Sequence, residues 1–277
     1  MKHVFLWVLA VLQLFGAVVQ SPVIGVNEDA TQVTIQVDKI DVGVSGFVVH
    51  TIADGKRSIV ASALVESFDA STKKAKLSIS EYDALSSGAL PKGKWGVKVG
   101  DEVVLAFGYT RGLLIAPSEE IYYRITKSSA LQWVHPDLFA TLLSFNGHPT
   151  PLRSDFAQMS IDSSVGLVFL FLQNKVFTLD AKSFKILAIT DAKVEQKETK
   201  LPFYTRVEEI EDNWWGEGSD ALEEYEPHYY ELMIEANPSH KELYEIVKSG
   251  GEKFEDLLEE FDFEGKKDDR KKTFGLF

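Results

Sequence analysis

The first half of the chain predicts β-structure, because short stretches either alternate polar and apolar residues or run apolar between turn-forming residues. Residues 31–37 (TQVTIQV) alternate as a strand with one buried face does, and residues 74–79 (KAKLSI) alternate with lysines on the solvent side. Four further strands are predicted over 46–52, 58–68, 102–107 and 112–116. Strands this closely spaced favour a small antiparallel β-barrel or sandwich.

Helical signals follow these strands. Ser118 precedes Glu119 and Glu120, which is the arrangement of an N-cap and an acidic first turn at the positive end of a helix dipole. A second helix is predicted to begin at Pro136 and to stop at Gly147. Its apolar stripe comprises Leu138, Phe139, Leu142 and Leu143, and a third, shorter helix is predicted over 151–159.

Strands return after the helices. Residues 165–172 (VGLVFLFL) are apolar throughout, which is typical of a strand buried on both faces. Residues 176–179 and 184–190 complete a three-stranded meander, and a last strand is predicted over 203–210. Strands, then helices, then strands indicate an α+β fold.

The charge divides the chain near residue 206. The formal net charge is −13, and residues 1–205 contain as many basic as acidic residues, so the excess of acid lies entirely in residues 206–277. We therefore predict a folded body over 28–211, β-rich over 28–116 and built of helices and the meander over 117–211. An acidic helical appendage is predicted over 212–277, with helices over 219–235, 241–247 and 252–261, and we expect the body to fold without it.

The N-terminus has the layout of a secretory signal peptide. Lys2 precedes an apolar run over residues 4–19, and Pro22 follows it. The run is shorter than the ~20 residues that span a bilayer. We predict a signal peptide over 1–20, with an uncleaved membrane anchor as the alternative. Because the chain also contains no cysteine, we expect an exported protein in the periplasm or on the cell surface of a Gram-negative bacterium.

No motif in the sequence predicts catalysis. There is no G-x-S-x-G elbow and no glycine-rich phosphate loop after a strand. His135, Asp137 and His148 lie near predicted helix ends, where such residues commonly act as caps, and their spacing fits no metal-ligand pattern. We therefore expect no enzyme activity, no cofactor and no metal, and the acidic balance argues against a nucleic-acid partner.

Aromatic residues stand among the acids of the predicted appendage. These residues are Trp214, Trp215, Tyr225 and Tyr229. Either they form a docking surface for a protein partner or a platform for a sugar, or they attach the helices of the appendage to the body.

Several strings, taken in order and spacing, resemble one family. They are GFVV at 46–49, GLLIAPSEEIY at 112–122, PDLFATLLSFNGHP at 136–149, VGLVFLFLQNKVFTLDAKSFKIL at 165–187 and LPFYTRVEEIE at 201–211. Together they resemble the N-terminal domain of the bacterial plasminogen-binding proteins A and B over residues 28–211.

The resemblance implies a surface-exposed envelope protein that captures host plasminogen in a lysine-inhibitable way, through a lysine-rich C-terminal region. A kringle lysine pocket takes a cation and an anion a short distance apart. In this chain the dense mixture of both signs lies at 266–272, so the expected internal lysine mimics are Lys266, Lys267, Arg270, Lys271 and Lys272. The alternative is an envelope structural or assembly scaffold without plasminogen activity.

Overall fold

Two β-sheets carry the architecture of the chain. The computed structural model describes residues 18–52, 55–82, 96–192, 194, 196–213 and 216–263. Within these residues, strands form a closed antiparallel barrel and a mixed five-stranded sheet, and helices lie mainly in the C-terminal half. The predicted α+β class is confirmed. No helix among the described residues is long and apolar enough to cross a membrane.

The barrel has six strands in the order β1-β2-β5-β4-β3-β6 and closes through pairing of β1 with β6. Its strands are β1 (Val19–Val26), β2 (Gln32–Gln36), β3 (Ser45–Thr51), β4 (Arg57–Asp69), β5 (Lys74–Ser80) and β6 (Glu102–Leu105). The predicted antiparallel barrel is thus confirmed, but β1 was not predicted. Pro22 and Gly25 weaken its strand pattern. Val19 and Gln20, placed in the predicted signal peptide, pair with Leu105 and Val104 of β6.

The second sheet has the order β11-β10-β9-β7-β8. Its strands are β7 (Arg111–Ile115), β8 (Gln132–Val134), β9 (Leu167–Leu172), β10 (Lys175–Asp180) and β11 (Ile186–Asp191). The predicted meander is confirmed as β9-β10-β11, whose strands pair antiparallel. The assignment of residues 112–116 to the N-terminal β-rich unit was wrong, because β7 pairs in parallel with β8 and β9 instead.

The strand predicted over 203–210 is absent. Its backbone donors bind elsewhere: the Tyr204 N–H donates to the carbonyl of Ala116 (2.7 Å), and the Arg206 N–H donates to the Asp137 carboxylate (2.8 Å). The segment is therefore held by the turn before the first helix and by the start of the second one, rather than by a β-ladder.

Three helices, α1 (Glu119–Thr126), α2 (Pro136–Asn146) and α3 (Arg153–Ser163), lie in the middle of the chain. The Ser118 hydroxyl accepts from the Ile121 N–H (3.4 Å), as an N-cap does, and Gly147 ends α2 with φ of +72°. One position of the predicted apolar stripe of α2 was wrong, since Leu138 is 56% exposed.

Strand β9 separates two hydrophobic cores. Val168, Leu170 and Leu172 belong to a core shared with α2, α3 and the C-terminal helices. Leu167, Phe169 and Phe171 alternate with them and belong to a second core, shared with the barrel and α1. Every residue of β9 is buried, as predicted for this run.

The acidic C-terminal segment is part of the first core. It forms α4 (Tyr225–Ala236), α5 (Lys241–Ser249) and two 3-10 helices (Gly251–Phe254 and Asp256–Glu260). Tyr229, Tyr230 and Met233 are fully buried in the same cluster as Phe139 and Phe177 of the body. The prediction of an appendage beginning at residue 212 was therefore wrong. The helices were foreseen, but the overall acidity concealed how completely their apolar faces are buried.

The buried carboxylate of Asp180, at the end of β10, joins the sheet to the barrel. Its Oδ2 accepts from the backbone N–H of Ser45 (2.9 Å), the Ser45 hydroxyl (2.7 Å) and the Tyr109 hydroxyl (2.7 Å). Its Oδ1 accepts from the N–H groups of Lys182 (3.0 Å) and Ser183 (2.7 Å). Burial, followed by the nearby Asp180 carboxylate, raises the pKa of Tyr109 well above its usual value. One carboxylate thus satisfies five donors at the junction.

We expect Asp180→Asn to lower the free energy of unfolding by about 2 to 4 kcal/mol. The amide replaces one acceptor oxygen by an NH2 group, so the donors that this oxygen bound are left buried without an acceptor. Denaturant unfolding of the full chain measures this change. Asp162→Asn, at an exposed position of α3, is the matched control and should shift stability by less than about 0.5 kcal/mol. Equal stability of Asp180→Asn and the parent would show that the junction does not depend on this carboxylate.

Candidate functional site

The predicted binding residues divide into two groups by position. Seven lie outside the described residues: Trp214, Trp215, Lys266, Lys267, Arg270, Lys271 and Lys272. The other two, Tyr225 and Tyr229, lie on α4 and can be judged from the structure.

Tyr225 and Tyr229 attach α4 to the body. They are 4% and 0% exposed. The Tyr225 hydroxyl donates to the carbonyls of Ile115 (3.2 Å) and Phe171 (3.3 Å), and the Tyr229 hydroxyl donates to the carbonyl of Pro202 (2.9 Å). Burial raises the pKa of both phenols well above the usual value. Their interpretation as docking residues was wrong, and the alternative, that they hold the C-terminal helices on the body, is confirmed for these two.

Sequence reasoning missed an aromatic cluster where residues 203–206 cross α1 and the start of α2. The Tyr122 ring lies 5.3 Å from the Tyr123 ring, 5.2 Å from the His135 ring and 5.5 Å from the Tyr204 ring, measured between centroids. Tyr123 is 38% exposed at its edge. The adjacent tyrosines of α1 were the available signal, but nothing in the sequence indicated that Tyr204 would join them.

Asp137 is the carboxylate of this cluster that binds the 203–206 segment. Burial alone would raise its pKa. The opposing contacts prevail: Arg206 donates from its backbone N–H (2.8 Å) and from Nε (2.7 Å), and the Thr205 hydroxyl also donates (2.8 Å). Together they lower the pKa of Asp137 to about 2. The arrangement fixes the 203–206 segment to α2 and leaves the Arg206 charge neutralised by its partner.

Tyr204 makes a second polar contact in the cluster. Its hydroxyl donates to the Glu119 carboxylate (3.1 Å). Burial and then this carboxylate raise the pKa of Tyr204. Because its pKa is raised, the Tyr204 phenol stays protonated and donates a hydrogen bond to the carboxylate. This contact holds the 203–206 segment against α1.

The histidines considered as metal ligands act as local hydrogen-bonding groups. Nδ1 of His135 accepts from the Asp137 N–H (3.2 Å) at the N-terminus of α2, and burial lowers the pKa of its imidazole. Nδ1 of His148 lies 2.9 Å from Oδ1 of the buried Asp155, and Oδ2 of the same carboxylate accepts from the Leu152 N–H (2.8 Å). In the part of the chain that the structure describes, no group of three or more His, Cys, Asp or Glu residues is placed to hold a metal ion.

Among the described residues, two of the surface cavities lie on the barrel rather than at these clusters. One, of about 560 Å³, is lined by polar and charged residues together with Val19 and Val37. The other, of about 450 Å³, is predominantly apolar and is lined by Val18, Gln20, Phe47, Val49, Arg57, Ser58, Ile59, Val104 and Phe107. Gln20 lines both, so the first residues of β1 lie between the two cavities.

With the fold and these clusters in view, the comparison with known proteins gives one family. The family described as "Plasminogen-binding protein pgbA N-terminal" matches residues 18–233, well over half of the sequence. The chain therefore belongs to this family. The match begins where β1 begins and extends into α4, so it includes the barrel, the mixed sheet and part of the helical cover.

Two curated relatives carry the name plasminogen-binding protein PgbA. The protein from Helicobacter pylori strain J99 is 27% identical over 202 residues, which are 70% of this chain and 43% of the relative. The protein from strain 26695 is 26% identical over 202 residues, covering 70% of this chain and 42% of the relative. The chain thus matches less than half the length of these relatives. No solved structure matches it significantly.

Proposed function

We propose that this protein is a non-enzymatic, exported envelope protein of the plasminogen-binding type, which engages host plasminogen as a protein partner. The observation that carries the proposal is the family match over residues 18–233. The name of the two relatives supports plasminogen as the partner. The proposal includes no catalytic step, since no motif in the sequence predicts one.

The proposed contact is the cation-rich segment at 266–272. A kringle lysine pocket is anionic at the end that takes the ammonium group, so its ligand must offer a cation that is not already neutralised. Several cations of the described body are engaged within the chain: Lys73 with Asp38 (2.7 Å), Arg206 with Asp137 (2.6 Å) and Lys253 with Glu226 (3.1 Å). Lys266, Lys267, Arg270, Lys271 and Lys272 follow one another closely and flank Asp268 and Asp269, so they offer both signs within a few residues.

A second function is favoured by where the family match ends. The match stops at residue 233, before the cation-rich segment, so the matched region includes the sheets but none of the proposed lysine mimics. A region of this kind suits an envelope scaffold that assembles with other envelope components. Absence of plasminogen binding by the parent chain in the test below would favour this alternative.

We expect the purified chain to bind immobilised plasminogen weakly and to be displaced by a lysine analogue, because internal lysines beside aspartates, as at 266–272, mimic a lysine ligand only in part. Replacing Lys266, Lys267, Arg270, Lys271 and Lys272 together by Ala should reduce binding by about tenfold or more, which is roughly 1.4 kcal/mol. Surface plasmon resonance with and without the analogue measures both effects.

The matched control is the pair Lys74→Ala and Lys76→Ala, which removes exposed cations from β5 and should leave binding unchanged. Binding that persists without residues 265–277 and ignores the lysine analogue would move the contact to the folded body. No detectable binding by the parent chain would reject plasminogen as the partner.

Export is a separate part of the proposal with its own test. Lys2 and the apolar run over 4–19 have the layout of a secretion signal. Fusing residues 1–30 to alkaline phosphatase, which is active only outside the cytoplasm, should give an active reporter in a Gram-negative host. Replacing Leu9 and Leu12 by Lys should silence it, because charges interrupt the apolar run. An inactive parent fusion that is nevertheless expressed would reject export.

A further inference from the structure

Helix α2 presents an apolar ridge to solvent. Leu138 and Phe145 are 56% and 88% exposed, and Thr141, which is also exposed, lies between them. Positions that are three, four and seven residues apart share one face of a helix, so these three side chains form a single line, which we call the α2 ridge. The opposite side of the helix is the one buried in the first core, and it comprises Phe139, Ala140 and Leu143.

The ridge differs from the single apolar side chains that are common on protein surfaces, because it places two large ones on the same helical face. In the part of the chain that the structure describes, Phe145 is more exposed than any other large apolar side chain. Neither Leu138 nor Phe145 belongs to the first core, so the packing of α2 onto the body does not require apolar residues at these positions. A contact with another molecule accounts for them.

An acidic segment, residues 206–213, runs along one side of α2, next to the ridge. Near the start of the helix, the Arg206 N–H donates to the Asp137 carboxylate (2.8 Å). Near the end of the helix, the Glu211 N–H donates to the Ser144 hydroxyl (3.1 Å). Because the segment is fixed at both places, it follows the length of α2 on the side that is adjacent to the ridge.

The carboxylates of this segment face solvent. Val207 and Ile210 are partly buried against the first core, which turns the residues between and after them outward. The exposed acids, which we call the acidic border, are Glu208, Glu209, Glu211 and Asp212. The one cation in the sequence of this segment, Arg206, is ion-paired with Asp137 (2.6 Å), and α2 contains no lysine or arginine. The segment and the helix therefore leave the charge of the acidic border uncompensated.

The negative charge continues beyond the acidic border. Residues 207–224 contain eight acidic residues and no lysine or arginine. The Thr150 hydroxyl donates to the carbonyl of Asp220 (2.6 Å), which brings a further exposed acid to the end of α2 where Phe145 lies. A partner that covers the α2 ridge thus meets an apolar strip with negative charge along one side and at one end. Complementary charge at such a surface selects a cationic partner.

We propose that the α2 ridge and the acidic border bind a cationic amphipathic helix of a partner protein. The apolar side of that helix packs on Leu138 and Phe145, and its lysines or arginines lie over the carboxylates of the acidic border. Charge excludes a second copy of this chain as the occupant, because each copy has a net charge of −13 and would bring its own acidic border to the contact. The inference rests on neither plasminogen binding nor export.

The test titrates the full chain into a fluorescein-labelled peptide that has leucines at helical spacing and lysines on the remaining face. Fluorescence anisotropy of the peptide measures binding. The same peptide with glutamate in place of lysine should not bind, because the acidic border repels it. Raising the salt concentration from about 50 to about 300 mM should weaken binding of the lysine peptide severalfold, since the carboxylates of the acidic border are exposed and therefore screened.

Substitution of the ridge tests the apolar part of the contact. Phe145→Ser should weaken binding of the lysine peptide by about tenfold, because the ring loses its transfer from water to an apolar surface. Phe107→Ser is the matched control, since it removes a phenylalanine that is 56% exposed on the barrel, and it should leave binding unchanged.

Substitution of the acidic border tests the charged part of the contact. Replacing Glu208, Glu209 and Glu211 together by Gln should weaken binding of the lysine peptide by about tenfold. The matched control replaces Glu231, Glu242 and Glu245, which are exposed on α4 and α5, by Gln. Both variants remove the same number of carboxylates, so a general attraction of the peptide to an acidic protein falls equally in the two. Only a local contact makes the variant of the acidic border the weaker binder.

A direct measurement places a label on the ridge, which is simple because the sequence contains no cysteine. An environment-sensitive fluorophore on Phe145→Cys should shift its emission to shorter wavelength when the unlabelled lysine peptide is added. The same fluorophore on Phe107→Cys should not respond.

Four results would overturn the inference. The lysine peptide does not bind; it binds Phe145→Ser as tightly as the parent; the two glutamine variants weaken it equally; or Phe145→Ser converts a dimeric parent into a monomer, as a second copy of the chain on the ridge would produce. The plasminogen assay tests residues 266–272, which none of these variants changes. Failure here is therefore distinguishable from failure of the proposed function.

Discussion

Strand β9 has no solvent-facing side, and this constraint decides how the rest of the chain is arranged. Its alternate residues enter two different cores, so apolar cover must be supplied on both faces of the sheet. The barrel and α1 supply one cover. The other is supplied by α2, α3 and the C-terminal helices, which return from the far end of the sequence. A segment that is acidic in composition is therefore required to complete the fold.

The acidic segment can pack into the core because α4 and α5 are amphipathic, with acidic residues on one side and apolar residues on the other. Glu231, Glu235, Glu242 and Glu245 are exposed, while Met233 and the other apolar residues between them are buried. The negative charge of the chain therefore lies on the solvent side of the helices that close the core.

Much of the fold was predictable where local patterns decide the outcome. The barrel strands, the meander and the caps Ser118 and Gly147 follow from alternation and capping chemistry that act over a few residues. Strand β1 was not predictable in this way, because Pro22 and Gly25 interrupt its pattern and only pairing with β6 makes it a strand. Strand β7 was predicted to belong with the barrel strands but pairs in the second sheet. This pairing likewise depends on a partner strand, β9, that comes more than fifty residues later in the sequence.

The candidate sites were harder to predict for the same reason. Tyr225 and Tyr229 were correctly singled out as unusual, but whether a tyrosine docks a partner or fills a core depends on what packs against it. The Asp180 junction, the Tyr204 cluster and the apolar cavity on the barrel each combine residues from distant segments. Phe47 and Phe107 meet only because β3 and β6 are neighbours in a closed barrel.

The central claim is that the acidic C-terminal helices complete the core, and truncation tests it most directly. A chain ending at Asp212 should lose cooperative unfolding and near-ultraviolet circular dichroism, because the apolar face of the mixed sheet is left uncovered. A matched chain ending at Phe263 retains every described helix and should unfold as the full chain does. If the chain ending at Asp212 unfolded cooperatively with unchanged near-ultraviolet circular dichroism, the helices would be an appendage and the claim would be contradicted.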